Sequence, residues 1–341
     1  MSGRLYPSHK GWNQDLPLRV SQEQKALPSL HRELNAIDEQ MVELGREAVL
    51  VRGLFLALSL FAVGMVIFQL WAVFAYFGPH PVALLSVLFC TALALATYRL
   101  DASIWRQAPV RFNRLNGKVY WCVQSFGKIP LGRWEAKIKV WDWNTVEAEI
   151  LKMAGYNGKV YMVRYYLSLA TCKPGTHTAL DREVLLGPSM TTVEFEQAWA
   201  FLRKYMEHGL EAVPKEPLKD NSIHYIRSLF AYMPWMMFNE WGRAARHDMF
   251  CRGWGGAIVS AFVALITLPL LPFFFLLGIT NYIALRLAPE PEWPEDIDAE
   301  SRGITVEELR AEKKRLQQQP KEKPRWSSII AACLSVVVIG W

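Results

Sequence analysis

The chain has 341 residues, 52% of them hydrophobic and 21% charged, with a formal net charge of +6 and a mean hydropathy of +0.08. So apolar a composition excludes a wholly disordered chain and exceeds that of ordinary soluble domains. Five scattered cysteines without a paired motif exclude a secreted disulfide scaffold. The 14 Trp, 12 Tyr and 17 Phe residues point to membrane interfaces, where aromatic rings collect.

Residues 1–52 are polar, with seven Lys/Arg and seven Asp/Glu. Within them Leu27, Leu30, Leu34, Ile37, Met41 and Leu44 recur at intervals of three and four. That spacing predicts a short amphipathic helix packed on a neighbour, or a brief coiled coil, in a cytosolic N-terminal region.

Residues 53–77 carry no charge and would make a helix of about 38 Å, enough to span a bilayer. A Gly-Pro-His-Pro break at 78–81 leads into a second uncharged run, 82–98, of about 26 Å. Together 53–98 read as a transmembrane helical hairpin. No cleavable signal precedes it, so the first span is expected to be an uncleaved anchor. Arg46 and Arg52 precede the pair, Arg99, Arg106, Arg111 and Arg114 follow it, and the connecting loop has no Lys or Arg. The positive-inside rule then puts the N-terminus and residues 99–254 in the cytoplasm of a bacterial-type inner membrane.

Residues 99–254 hold 22 Lys/Arg against 15 Asp/Glu, a surplus that fits either positive-inside bias or attraction to anionic lipid. The pattern over 99–210 is β. Asn116-Gly117 and Asn157-Gly158 mark hairpins between extended runs, 136–143 alternates, 145–153 fits strand or short helix, and 173–176 is a turn. Six or seven short strands result. A helix then closes the unit, with Thr191 or Thr192 as its cap, Phe195, Trp199, Leu202 and Met206 on one face, and Gly209 as its stop. Antiparallel strands followed by one amphipathic helix resemble the pleckstrin-homology-like (PH-like) fold.

Residues 211–254 form a juxtamembrane region, in which the aromatic and Met-rich stretch 222–241 is either an interfacial helix or one packed on the β domain. Residues 255–287 have Arg286 as their only charge and Pro269 and Pro272 near the middle. They form a second, Pro-broken membrane region: one kinked span, or a hairpin favoured by the basic cluster Lys313 to Arg325 beyond it. Residues 288–326 are charged, with a helix capped by Thr305-x-x-Glu308. The apolar run 327–341 fits a short anchor or a buried or interfacial helix.

No nucleotide loop, nucleophile elbow, zinc motif, EF-hand or dinucleotide fingerprint is present. Cys172 and His177 flank a turn and could pair as a nucleophile, but two hairpin-flanking residues is the simpler reading. Asp142, between Trp141 and Trp143, reads as the outward residue of a strand or as a perturbed acid. His247-Asp248 reads as a juxtamembrane polar pair. Lys159, Tyr161, Arg164, Tyr165 and Tyr166 interleave bases with aromatics, a pattern found on nucleic-acid platforms and on membrane-attached sheets alike; no nucleic-acid partner is expected. Gln69 and Asn281 are the carboxamides inside the spans. No catalytic, cofactor-binding or metal-binding set emerges, and no cofactor is expected.

The runs PVRFNRLNGKVYWC, KVWDWNTVEAEI, YYLSLATCKPGTH, AWAFLRKYMEHG and EPEWPEDIDAE, with GWNQDLPL near the start, resemble a bacterial inner-membrane family built on a domain of unknown function. Members of that family often occur beside type VI secretion effector genes. The resemblance implies an accessory, adaptor or immunity role beside a secreted toxin and brings no catalytic residues. The expectation is therefore an α+β membrane protein without enzymatic activity. Its cytosolic PH-like β domain would dock a protein partner, such as a type VI effector, or the anionic membrane face. The oligomeric state is left open. The alternative is a small transporter or channel component built around Pro269 and Pro272.

Overall fold

The computed structural model describes residues 4–18, 26–30, 33–47, 52–78, 80–125, 134–156, 161–233, 236, 242–243, 246–247, 258, 261–262, 265 and 268–318. The chain divides into two compact units, Met1–Glu292 and Trp293–Trp341.

Among its described residues the first unit holds two antiparallel sheets and three long apolar helices. Strands β1 (Trp12–Asp15), β7 (Val146–Tyr156), β8 (Tyr161–Cys172) and β9 (Ala179–Ser189) form one sheet in the order β1-β7-β8-β9. Strands β2 (Leu34–Ile37), β3 (Met41–Glu47), β4 (Gln107–Asn113), β5 (Lys118–Ser125) and β6 (Glu135–Asp142) form the other, in sequence order. Helix α3 (Val193–His208) packs on both.

Alternation explains the shared core. Val42 and Leu44 of β3, Val110 and Phe112 of β4, and Val119 and Trp121 of β5 point inward, toward Ala148, Ile150, Leu167 and Leu169 of the other sheet. Helix α3 adds Phe195, Trp199, Leu202 and Met206, the face expected from its spacing. Gly209 ends the helix at φ +88°, with its N–H bonded to Tyr205 O. The expected side-chain cap is absent: Thr192 sits at the N-cap position and makes no cap hydrogen bond, while Glu194 and Glu196 meet the positive helix end.

The turns follow local chemistry. Gly117 takes φ +63° between β4 and β5, and Asn113 Oδ1 and Asn116 Oδ1 accept from the amides of Asn116 and Lys118. The segment 145–153, open between strand and short helix from sequence, falls in strand β7 from Val146 on, and the expected second hairpin is the β7–β8 pair, whose turn lies outside the described residues.

The N-terminal region corrects the expectation most. The amphipathic helix predicted from Leu27 to Leu44 is not formed over 34–47, which are strands β2 and β3. The carboxylate of Asp38 accepts from the amides of Gln40 and Met41 and turns the chain. Leu34 then pairs with Leu44 and Ile37 with Val42, so residues spaced like a helix face meet across a hairpin. The described strands of this region join the two sheets: β1 adds to the edge of β7, and β3 pairs with β4 from Met41–Asn113 to Glu47–Gln107.

Between β3 and β4 the chain makes the expected helical hairpin, α1 (Leu54–Ala72) and α2 (Pro81–Ser103). A wider π-helical turn, Val73–Phe77, extends α1. Gly78 at φ +64° ends it, and His80 caps α2 ahead of Pro81. A third helix, α5 (Leu271–Leu287), follows a short 3-10 turn, Leu268–Leu270. Among the described residues three helices, Leu54–Tyr76, Pro81–Ser103 and Leu268–Leu287, are long and apolar enough to cross a membrane. Pro269 lies in the 3-10 turn and Pro272 in the first turn of α5, where proline is tolerated. Of the preceding residues 255–267 only Ile258, Ala261, Phe262 and Leu265 are described, each helical, so the choice between hairpin and single span falls largely outside the described residues. The long helix expected over 222–241 is described only as α4 (Tyr225–Leu229) and the turn after it.

Close backbone contacts set the helix packing. Gly53, at φ +85°, lies against the backbone of Asn281, and Gly278 lies against the carbonyl of Leu229, with no room for a Cβ at either position. Tyr225–Tyr282 and Phe230–Phe275 ring contacts at 5.2 and 5.6 Å join α4 to α5.

The second unit contains α6 (Glu295–Arg302) and α7 (Val306–Gln318). The predicted capping box forms: Thr305 N donates to Glu308 Oε2 at 2.8 Å and Glu308 N donates to Thr305 Oγ1 at 3.3 Å. Arg302 and Lys313 converge on Asp298, and Arg310 on Glu295, tying the two helices together. The apolar run 327–341 lies outside the described residues.

Candidate functional site

The two sheets separate at the end nearest α1 and α2. One step beyond the core residues Leu44, Val110 and Trp121, the inward positions are Arg46, Ala108 and Val123. They line a half-open cleft of about 590 Å³, within the range of small-ligand and anchor pockets. Its other walls are Val184 to Ser189 of β9, the first turns of α3, Leu30, and Ile104 and Trp105 just past α2. The lining is mostly apolar, with Glu33, Arg46, Gln124 and Glu194 as its charged and amide groups.

Arg46 closes the inner wall. Its guanidinium donates to Val184 O at 2.9 Å, Cys122 O at 3.0 Å and Ala108 O at 3.4 Å, and so bonds both sheets. It lies 5.0 Å from the Trp121 ring, with Glu183 at 3.9 Å. Burial lowers its pKa from the ordinary value and Glu183 opposes the shift; an arginine stays charged across any physiological range. With its donors turned to carbonyls, Arg46 presents the cleft a fixed cationic wall.

The cleft is bolted to the helix pair. Gln124 Oε1 accepts from Trp105 N at 3.1 Å and Gln124 Nε2 donates to Ser103 O at 2.7 Å. Arg52 Nη1 donates to Asp101 O at 3.1 Å, and the buried Asp101 carboxylate accepts from Leu56 N at 2.6 Å. Asp101 thereby caps α1 from the end of α2.

The residues singled out from sequence do not converge here. Cys172 is buried, and His177 bonds Glu147 at 2.6 Å instead; no hydrogen bond joins Cys172 to His177 among the described residues. Burial pushes the thiols of Cys172 and Cys122 up to about 11, so neither is activated. Both should therefore resist maleimide at about pH 8, near an ordinary thiol pKa, and react only after unfolding. Mass spectrometry reads this out, and rapid labelling of native Cys172 would contradict it.

Asp142 points outward and accepts from Asn144 N at 2.8 Å, while Trp141 and Trp143 are buried. Tyr165 packs on the core and Tyr166 lines the cleft, so these two tyrosines form no common platform; Lys159 and the Tyr161 side chain lie outside the described residues, as does Asp248. Gln69 Nε2 donates to Ser86 Oγ at 2.9 Å, joining α1 to α2, and Asn281 Nδ2 reaches Ser228 O at 3.5 Å. Among the described residues no group of three or more His, Cys, Asp or Glu could hold a metal ion.

Residues 87–304 match a family described as a family of unknown function (DUF6708). The match covers more than half of the chain, and the chain belongs to that family. No curated protein and no solved structure matches it.

Proposed function

We propose that the protein is a non-enzymatic recognition module anchored in a bacterial inner membrane, with a PH-like β domain that docks a protein partner. The observation that carries this reading is the cleft where the two sheets part, beside the end of α2. An apolar lining with Glu33 and Glu194 among its residues, and an Arg46 already bonded to carbonyls, suits an apolar protein anchor better than an anionic headgroup. A type VI secretion effector is the partner suggested by the sequence resemblance, with the protein acting as adaptor or immunity factor.

Strand order supports the PH-like reading: β4 to β6, then β7 to β9, then α3. Pairing of β3 with β4 supports the topology. Both ends of the α1–α2 hairpin enter one β body, so strands β1 to β9 and helix α3 lie on the same side of any bilayer the hairpin crosses. The arginine bias makes that side the cytoplasm. The chain leaves from there before α5, where Tyr232 Oη donates to Arg52 O, and returns there after it, where Arg106 N donates to Pro289 O at 3.4 Å. Departure and return at one face favour a membrane hairpin or re-entrant pair over a single kinked span.

The test fills the cleft. Ala108→Trp is expected to insert in the membrane as wild type does and to lose the partner in co-purification from host membranes. Retention of the partner at wild-type yield would refute cleft docking.

A further inference from the structure

We propose that the paired strand segments Lys152–Gly155 of β7 and Met162–Tyr165 of β8, with the β9–α3 loop, rest on the anionic headgroups of the bilayer. The inference rests on the reading that α1 and α2 cross that bilayer. In register, Met153 faces Arg164 and Gly155 faces Met162. These four share the outward face of their sheet, opposite the core-facing pair Ile150 and Leu167.

Met153 is 58% exposed and Met162 45%, and nothing lies within 4 Å of a Cβ placed at Gly155. Arg164 on this face and Lys152 beside it make no ion pair among the described residues. Flexible, exposed methionines flanked by free cations are chemistry suited to a lipid interface: the thioether chains enter the acyl boundary and the cations meet lipid phosphates.

Position points the same way. Tyr165 pairs with Ser189, and Ser189 lines the cleft together with Trp105, two residues past the end of α2. This end of the sheet is therefore the one beside the membrane helices. From Tyr165 the hairpin runs on for four residues, about 13 Å of strand, while Trp105 lies within about 7 Å of the last residue of α2. The neighbouring β9–α3 loop adds Met190 at 72% exposure, and the start of α3 adds Val193 at 55%.

The experiment uses the full chain in nanodiscs of phosphatidylcholine and phosphatidylglycerol with brominated acyl chains. A fluorescent amino acid is placed in turn at Met153, at Phe68 on the exposed face of α1, and at Leu115 on the exposed β4–β5 turn. Bromine should quench the probe at 68 and at 153 and leave 115 bright. The pair Lys152→Glu with Arg164→Glu should remove the quenching at 153 and leave that at 68. A quenched 68 with a bright 153 overturns this inference alone and leaves the patch to a protein partner. A bright 68 overturns the membrane reading of α1 as well. Quenching at 153 that survives the charge reversal overturns the role of anionic lipid.

Discussion

Replacing Trp199 by Ala is expected to destabilise the β domain by about 3–5 kcal/mol, the range for removing a large buried aromatic side chain. Trp199 is 1% exposed. Its ring lies 5.4 Å from that of Trp143, which in turn lies 6.0 Å from Phe112, so one row of rings joins α3 to the β2–β6 sheet. Its indole N–H donates to Pro17 O at 2.8 Å and fixes the segment that follows β1. Loss of the ring therefore opens the core and frees the N-terminal strand together. Trp199→Phe keeps an aromatic ring and loses the hydrogen bond, at a further cost of about 1 kcal/mol, so it should fall well short of the Ala variant. Denaturant titration in detergent distinguishes them; equal losses would mean that the hydrogen bond, rather than packing, holds α3.

The second large effect is at Asp101. It is 1% exposed, and its carboxylate bonds the amide of Leu56, with those of Gly53 and Phe55 also within its reach. Asp101→Ala leaves the first turn of α1 without its acceptor, while the bond from Arg52 to the Asp101 backbone carbonyl survives. Losing a hydrogen bond to a buried charged acceptor costs about 1.5–3 kcal/mol. Asp101→Asn keeps an acceptor oxygen and should lose roughly half as much, since the remaining bond is neutral. Thermal unfolding in detergent measures both. A wild-type midpoint for the Ala variant would show that α1 needs no cap from α2.

The sequence made the locally encoded parts legible. The uncharged runs, Asn116-Gly117, the face of α3 and the Thr305–Glu308 box each act within a few residues. The N-terminal strands were not legible, because the Asp38 turn brings Leu34 and Leu44 together across a hairpin at helix-like spacing. Reading 34–44 as a helix also hid Arg46. In strand register it continues the inward series Val42, Leu44; as a helix flank it looked like one more positive charge before a span. The cleft depends on β1 finding β7 and β3 finding β4 across more than half a domain, and no local pattern encodes such pairings.

The central claim, that the cleft docks a protein, is tested most directly by quantitative mass spectrometry of what co-purifies with the membrane-inserted chain. Wild type, Ala108→Trp and the distal control Leu115→Trp are compared in the native host. One protein enriched with wild type and with Leu115→Trp, and lost with Ala108→Trp, is the predicted result. The same enrichment in all three, with Ala108→Trp folded and inserted, would contradict the account.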